Sequence, residues 1–149
     1  MTSPLTLSFG SDHGGLALRR GLIEALKVKG HTILDRGTET EASCDYPDYA
    51  HAVGADVVAG RARFGILVCT TGIGISIAAN KVAGIRAALV QSVDAADLSR
   101  RHNDANVLCF GAKYVDLATA VACTEAFLAA EFEAGRHSRR VDKMESSCG

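Results

Sequence analysis

Phe64-Gly-Ile-Leu-Val-Cys69-Thr-Thr-Gly-Ile-Gly74-Ile-Ser-Ile-Ala-Ala-Asn80 is an apolar run that stops at a cysteine, turns through two glycines and resumes at helical spacing. Ile66-Leu67-Val68 is too continuous for a half-exposed strand and too short for a helix, so it reads as a parallel strand covered on both faces. Cys69 then stands at the strand's carboxyl end, and Gly72 and Gly74 permit a tight turn into a helix. At that edge of an open parallel sheet the next helix presents unpaired N–H groups and the positive end of its dipole, which suits anionic ligands.

A thiol in this position has two readings. One is a small buried hydrophobe, the usual state of a free cysteine that ends an apolar strand. The other is a base or nucleophile, because the thiolate is the reactive form and a helix N-terminus favours it. A helix dipole contributes at most about 2 kcal/mol, so the reactive reading expects a second helper nearby.

Working outward, Leu5-Thr-Leu-Ser-Phe9 reads as a first strand closed by Gly10-Ser-Asp-His-Gly-Gly15. A helix follows over 16–29, with Leu18, Leu22, Ala25 and Leu26 at helical spacing and Gly30 as its stop. His31-Thr-Ile-Leu-Asp35 is a second strand, and the polar stretch from Arg36 to Asp45 is a loop. A second helix starts at Tyr46-Pro47, turns Ala50, Val53 and Val57 inward, and ends at Gly60. Beyond the glycine loop come a helix to about Lys81, a strand Arg86-Ala-Ala-Leu-Val90, a helix from about Asp94 to His102, and a fifth strand Asn106-Val-Leu-Cys-Phe110. Residues 116–131 form an alanine-rich helix, and the charged segment Glu133 to Met144 continues as a helix before five frayed residues.

Strands that alternate with helices specify an α/β, Rossmann-like three-layer sandwich, a five-stranded parallel sheet with right-handed crossovers and helices on both faces. The expected strand order is 2-1-3-4-5. Strands one and three are then neighbours whose chains leave in opposite directions, and the crevice between them brings Asp12 and His13 beside Cys69 and Thr71. One domain over 1–149 is expected, with 133–149 as its C-terminal helical extension and tail.

At 149 residues and 48% hydrophobic composition the chain has enough apolar material for one full core. Its net charge of −1, with acids and bases interspersed, gives no basic footprint for nucleic acid. The five cysteines, Cys44, Cys69, Cys109, Cys123 and Cys148, are odd in number and form no C-x-x-C pair, so neither a disulfide framework nor a zinc site is indicated. No membrane span or signal peptide is evident, so a reducing cytoplasm is the expected location. Cys44, Cys109, Cys123 and Cys148 read as bystanders.

Four further constellations stand out. His102-Asn103 ends the fourth helix, where the residues suit a C-cap, although a histidine is also the natural proton carrier of a catalytic site. Arg136, Arg139 and Arg140 share one face of a C-terminal helix, as a solvated basic face or as ligands of an anion. Asp35, after the second strand, invites a nucleotide-binding oxidoreductase reading, but Gly10-Ser-Asp-His-Gly14 lacks the G-x-G-x-x-G spacing. Asp12 and Lys113 would suit a non-enzymatic phospho-receiver module, whose phosphoacceptor position is here Cys69.

Taken together, Gly10-Ser-Asp-His-Gly14, Asp45-Tyr-Pro47, Cys69-Thr-Thr-Gly-Ile-Gly-Ile-Ser-Ile-Ala-Ala-Asn-Lys81, Gly84-Ile-Arg86, Ser99-Arg-Arg-His-Asn-Asp104 and Gly135-Arg-His137 resemble the type B ribose-5-phosphate isomerases. These belong to the sugar-phosphate isomerases, with galactose-6-phosphate and allose-6-phosphate isomerases. The resemblance implies an aldose–ketose isomerase of the pentose phosphate pathway that uses no metal and no cofactor. It implies a homodimer, or a tetramer in which two dimers pair, with active sites at the subunit interface and a C-terminal helix reaching the partner.

Carried over by motif, Cys69 matches the base that moves a proton between two sugar carbons, and Thr71 and His102 match the groups that open the ring. Asp12 and His13 match substrate contacts, Asp12 also within the catalytic set, and Tyr46 stands with them. The backbone of Thr70, Thr71, Gly72, Ile73 and Gly74 matches the cradle for an enediolate, Asn103 a hydroxyl contact, and Arg136 and Arg140 phosphate ligands. Two positions depart from the family pattern. Thr70 replaces a glycine, so its side chain either lines the pocket or restricts the turn. Lys113 replaces an arginine, keeping the charge and losing the bidentate fork. Ribose 5-phosphate and ribulose 5-phosphate are the expected pair, with allose 6-phosphate or a tetrulose phosphate as alternatives.

Overall fold

The computed structural model describes residues 2–146. The elements run β1 (Thr6–Ser11), a 3-10 turn (His13–Gly15), α1 (Leu16–Val28), β2 (Thr32–Asp35), α2 (Tyr46–Val58), β3 (Phe64–Cys69), α3 (Ile73–Asn80), β4 (Ala87–Leu89), α4 (Val93–Asn103), β5 (Val107–Gly111), α5 (Leu117–Ala129) and α6 (Arg136–Ser146). All strand pairs are parallel. Every residue of β3 is buried, as its unbroken apolar run demands. Side chains alternate across it: Ile66 and Val68 pack into a core with Leu22, Phe110 and Phe127, while Leu67 and Cys69 pack into a second with Val53, Ile75 and Cys109.

The strand order is β2-β1-β3-β5-β4, so the expected order 2-1-3-4-5 is corrected in its last two strands. Burial explains the exchange. The fully buried β5, Val-Leu-Cys-Phe-Gly, needs a neighbour on each side, whereas the three half-buried residues of β4 suit an edge. The exchange matters for the site, because the turn after β5 now lies beside the turn after β3. Ala112 N–H donates to Cys69 O and Lys113 N–H to Thr70 O, both at 2.9 Å.

Two buried charges hold the flanks. Arg19 is fully buried; its guanidinium donates to Ser11 Oγ and Thr38 O and pairs with Asp35 at 3.1 Å. The irregular segment 36–45 is thereby tied to β1, and Asp35 is engaged by Arg19 and by Gly37 N–H. On α2, Asp56 accepts from Ser8 Oγ at 2.7 Å and from the Nε of both Arg36 and Arg61 at 2.8 Å. Burial alone would raise its carboxyl, but these three donors hold it far below the usual carboxylate range.

The C-terminal end also differs from expectation. The helix α6 begins at Arg136 rather than Glu133, after Ala134 and Gly135 at φ +55° and +53°. It runs through Glu145, which pairs with Arg86 at 2.6 Å, so the fraying expected from residue 145 does not begin there. Cys148 and the rest of that expected frayed tail lie outside the described residues. No helix among the described residues is long and apolar enough to cross a membrane.

Candidate functional site

The first cluster forms where β1, β3 and β5 end. Gly72 sits at φ +77°, and a Cβ there would come within 2.8 Å of Gly111 N and 2.5 Å of Leu89 Cδ1, so only glycine fits this turn. The turn points the Gly72 N–H at Cys69 Sγ, 3.1 Å away. Thr71 Oγ1 accepts from Ile73 N–H at 3.2 Å. Past these two come the next N–H groups of α3, which have no acceptor inside the helix and form its positive end. Cys69 is 4% exposed, so its sulfur is held in the wall between sheet and α3 with a donor aimed at it.

The turn after β1 meets this one. Asp12 is buried and accepts from Gly15 N–H at 3.2 Å, which fixes the 3-10 turn. A Cβ on Gly14 would lie 2.1 Å from Thr70 Oγ1 and 3.4 Å from Asp12 Oδ1, so this glycine lets the two turns touch. The exposed Thr70 therefore lies against the Asp12 turn; its φ is not positive, and the threonine leaves the backbone path unrestricted. Tyr46, in the first turn of α2, covers the start of α3: a Cβ on Gly74 would stand 2.4 Å from its ring. Lys113 is exposed at the rim, its Nζ 5.9 Å from the Tyr114 ring centre.

His13 belongs to this cluster through an unforeseen partner. Its Nδ1 accepts from Cys44 N–H at 3.2 Å, with Cys44 Sγ 3.9 Å from the same nitrogen. A ring nitrogen that accepts carries no proton, so the neutral ring has its proton on Nε2. The group that meets the Cys69 sulfur is thus the Gly72 amide rather than His13. Cys44, read as a bystander, positions the His13 ring; the two are joined across a loop, and no local pattern signals the pairing.

The second cluster lies at the end of α4. Asp104, in the left-handed region at φ +50°, forms the C-cap. His102 is therefore released from capping and stacks on His137 of α6, with ring centres 4.2 Å apart and planes 14° apart. Glu133 Oε1 lies 3.7 Å from His102 Nε2 and 3.6 Å from His137 Nε2, while Arg101 Nε holds Oε2 at 2.9 Å. That guanidinium keeps the Glu133 carboxyl below its usual range. Burial pushes His137 down, and His102, Arg136 and Arg140 add to the effect. Asn103, Arg136 and Arg140 are exposed, and among the described residues no side-chain hydrogen bond or ion pair engages them. Sequence reasoning found His102, Asn103 and the arginines but passed over Glu133 and the role of His137.

Among the described residues no hydrogen bond, ion pair or ring contact joins the two clusters within one chain. The first offers a sulfur base beside unspent N–H donors. The second offers an imidazole and a cationic helix face. A cavity of about 900 Å³ opens at the opposite end of the strands, lined by residues such as Lys29, Arg63, Phe64 and Arg100, and holds none of the predicted site residues.

Known proteins resemble this chain in sequence and fold. The Ribose/Galactose Isomerase family model matches residues 7–144. Ribose-5-phosphate isomerase B of Escherichia coli (strain K12) is 46% identical over 138 residues, 93% of each chain. The solved ribose-5-phosphate isomerase B of Clostridium thermocellum superposes with a TM-score of 0.94 at 45% identity, over 95% of this chain and 96% of that one. The Mycoplasma genitalium enzyme, solved with bound ribulose 5-phosphate, gives 0.90 at 42% identity, over 95% of each chain. With likeness of this extent in both sequence and fold, spanning both clusters, the chain belongs to the ribose/galactose isomerase family.

Proposed function

We propose that this chain, as one domain, interconverts ribose 5-phosphate and ribulose 5-phosphate by proton transfer between adjacent carbons through a cis-enediolate. The observation that carries the reading is Cys69 Sγ at 3.1 Å from the Gly72 N–H, at the start of α3. The amide donates to the sulfur, and the N–H groups beyond it face the oxygens on which charge develops as the carbon-bound proton leaves. Cys69 takes that proton and returns it one carbon away, so the sulfur is regenerated and no cofactor is consumed.

Thr71 and His102 open the sugar ring, with Asp12 beside the first cluster. His13, Tyr46 and Asn103 contact hydroxyls. Arg136, Arg140 and Lys113 bind the phosphate, the arginines as forks and the lysine as a point charge. The separation of the two clusters supports a homodimer, in which the His102 and α6 side of one copy completes the Cys69 side of the other.

Two measurements test this. Wild type converts ribose 5-phosphate faster than allose 6-phosphate or four-carbon sugar phosphates, and Cys69→Ala converts none; unchanged activity in that variant rejects the scheme. Mixing Cys69→Ala with His102→Ala after co-refolding restores about a quarter of wild-type activity, because half the dimers are mixed and each mixed dimer has one intact site. No restoration places both groups in one chain's site and rejects the shared arrangement.

A further inference from the structure

The corner formed by His102, Glu133 and His137 has a second capability. Its three donor atoms, one from each side chain, all lie within 4.8 Å of one another. Arg101 occupies Glu133 Oε2, which leaves Oε1 facing both rings at 3.7 and 3.6 Å. Donors bound tetrahedrally to zinc stand about 3.3 Å apart, so a contraction of a few tenths of an ångström brings the carboxylate and either ring nitrogen to bonding distance. The rings stack nearly parallel, and tilting them toward each other makes their lone pairs converge.

An independent observation also points to a ligand. His137 is 6% exposed, and its buried Nε2 has no hydrogen-bond partner. Glu133 Oε1 lies 3.6 Å from this nitrogen, too long for a hydrogen bond. A cation on Nε2 would satisfy it. The half-exposed His102 and exposed Glu133 leave a path from solvent and room for water as a fourth ligand. Two imidazoles and a carboxylate suit zinc and its neighbours better than magnesium or calcium, which take all-oxygen sets. The nearby Arg101, Arg136 and Arg140 oppose a cation and set the affinity to weak rather than structural.

We propose that His102 Nε2, Glu133 Oε1 and His137 Nε2 form an inhibitory site for a zinc-class divalent cation, which silences the enzyme by occupying the histidine that opens the sugar ring. The inhibitory half rests on the function proposed above; the binding half does not. No bond to substrate is made or broken in this step. Metal displaces protons or solvent from three side chains, and chelation reverses it.

The test uses the full chain, stripped with a chelator and titrated with Zn²⁺ by calorimetry and with Co²⁺ by visible absorption. One ion per chain, with the cobalt spectrum of nitrogen and oxygen ligation, is expected. Glu133→Gln and His137→Gln each weaken binding by ~10-fold or more, while His51→Gln, an exposed histidine on α2, leaves it unchanged. Should His137→Gln fail to fold, Glu133→Gln alters only an exposed carboxylate and decides the matter. Zn²⁺ inhibits isomerisation in wild type, and its inhibition constant rises in Glu133→Gln by the factor seen in binding. Absent binding, thiolate-type cobalt absorption, or wild-type affinity retained in Glu133→Gln and His137→Gln overturns the site while leaving the isomerase reading intact. Binding at full affinity without inhibition overturns the inhibitory role and removes His102 from the reaction.

Discussion

Asp56 is 2% exposed and Cys69 4%, and each carries a polar atom into the packing around β1 and β3. Their surroundings differ in how completely that atom is used. Asp56 spends its oxygens on Ser8, Arg36 and Arg61, joining β1, the turn after β2 and the end of α2. Nothing is left over for a ligand. Cys69 has one amide donor on its sulfur and stands at the start of a helix whose next N–H groups have no partner within it. Burial of a polar group therefore says little about function until its hydrogen bonds are counted. A closed set of partners makes a brace, and an open one makes a site.

The largest test of this contrast replaces the sulfur with oxygen. Cys69→Ser keeps the side chain's size and the Gly72 donor but substitutes a far weaker acid for the thiol. The expected loss in kcat is ~10³-fold, or about 4 kcal/mol of transition-state stabilisation, read in a coupled isomerase assay. The urea midpoint should stay near that of wild type. A large drop in stability with little loss of rate would make Cys69 the brace and reverse the comparison.

Asp56→Asn should behave in the opposite way. It leaves Arg36 and Arg61 facing a neutral amide, and breaking a buried charge pair costs about 3 kcal/mol, seen as a lower urea midpoint with turnover of the folded fraction retained. The pH dependence follows from the sign of the shift. Because the folded carboxyl is depressed, its stabilisation is present above the unfolded value of about 4 and is lost as pH falls toward the lower folded value. The gap between wild type and variant should therefore be full at neutral pH and narrow steadily through the acid range. A gap constant with pH would mean that Asp56 acts by shape alone.

Much of this was readable in the chain. Ile66-Leu67-Val68 declared a doubly covered strand, and Gly72 and Gly74 marked the turn that aims an amide at the sulfur. What escaped was non-local. Strand order depends on which strands tolerate an edge, and the half-buried Ala87–Leu89 differs from Val107–Gly111 mainly in length and bulk, a difference that becomes a rule only once the neighbours are known. Arg19 carries no signal of its burial beside Leu18 and Leu22, because its partners Ser11, Asp35 and Thr38 come together only in the fold. Glu133 sits in a connector with no periodicity, so its approach to two histidines had no local signal.

The smallest effect belongs to the thiol nearest in kind to Cys69. Cys109 of β5 faces Leu67 in register, two residues short of the position opposite Cys69, and lies in the same core. It is fully buried, and burial, together with Cys69, pushes its thiol well above the usual range. With no amide among the described residues aimed at it, this sulfur is a packing atom. Cys109→Ala should cost about 1–2 kcal/mol, the price of a small cavity, and leave kcat unchanged, while iodoacetamide consumes the activity of variant and wild type at the same rate. Slower inactivation of the variant would place the reactive sulfur on β5, and two residues of advance along a parallel strand would no longer separate an inert thiol from a working one.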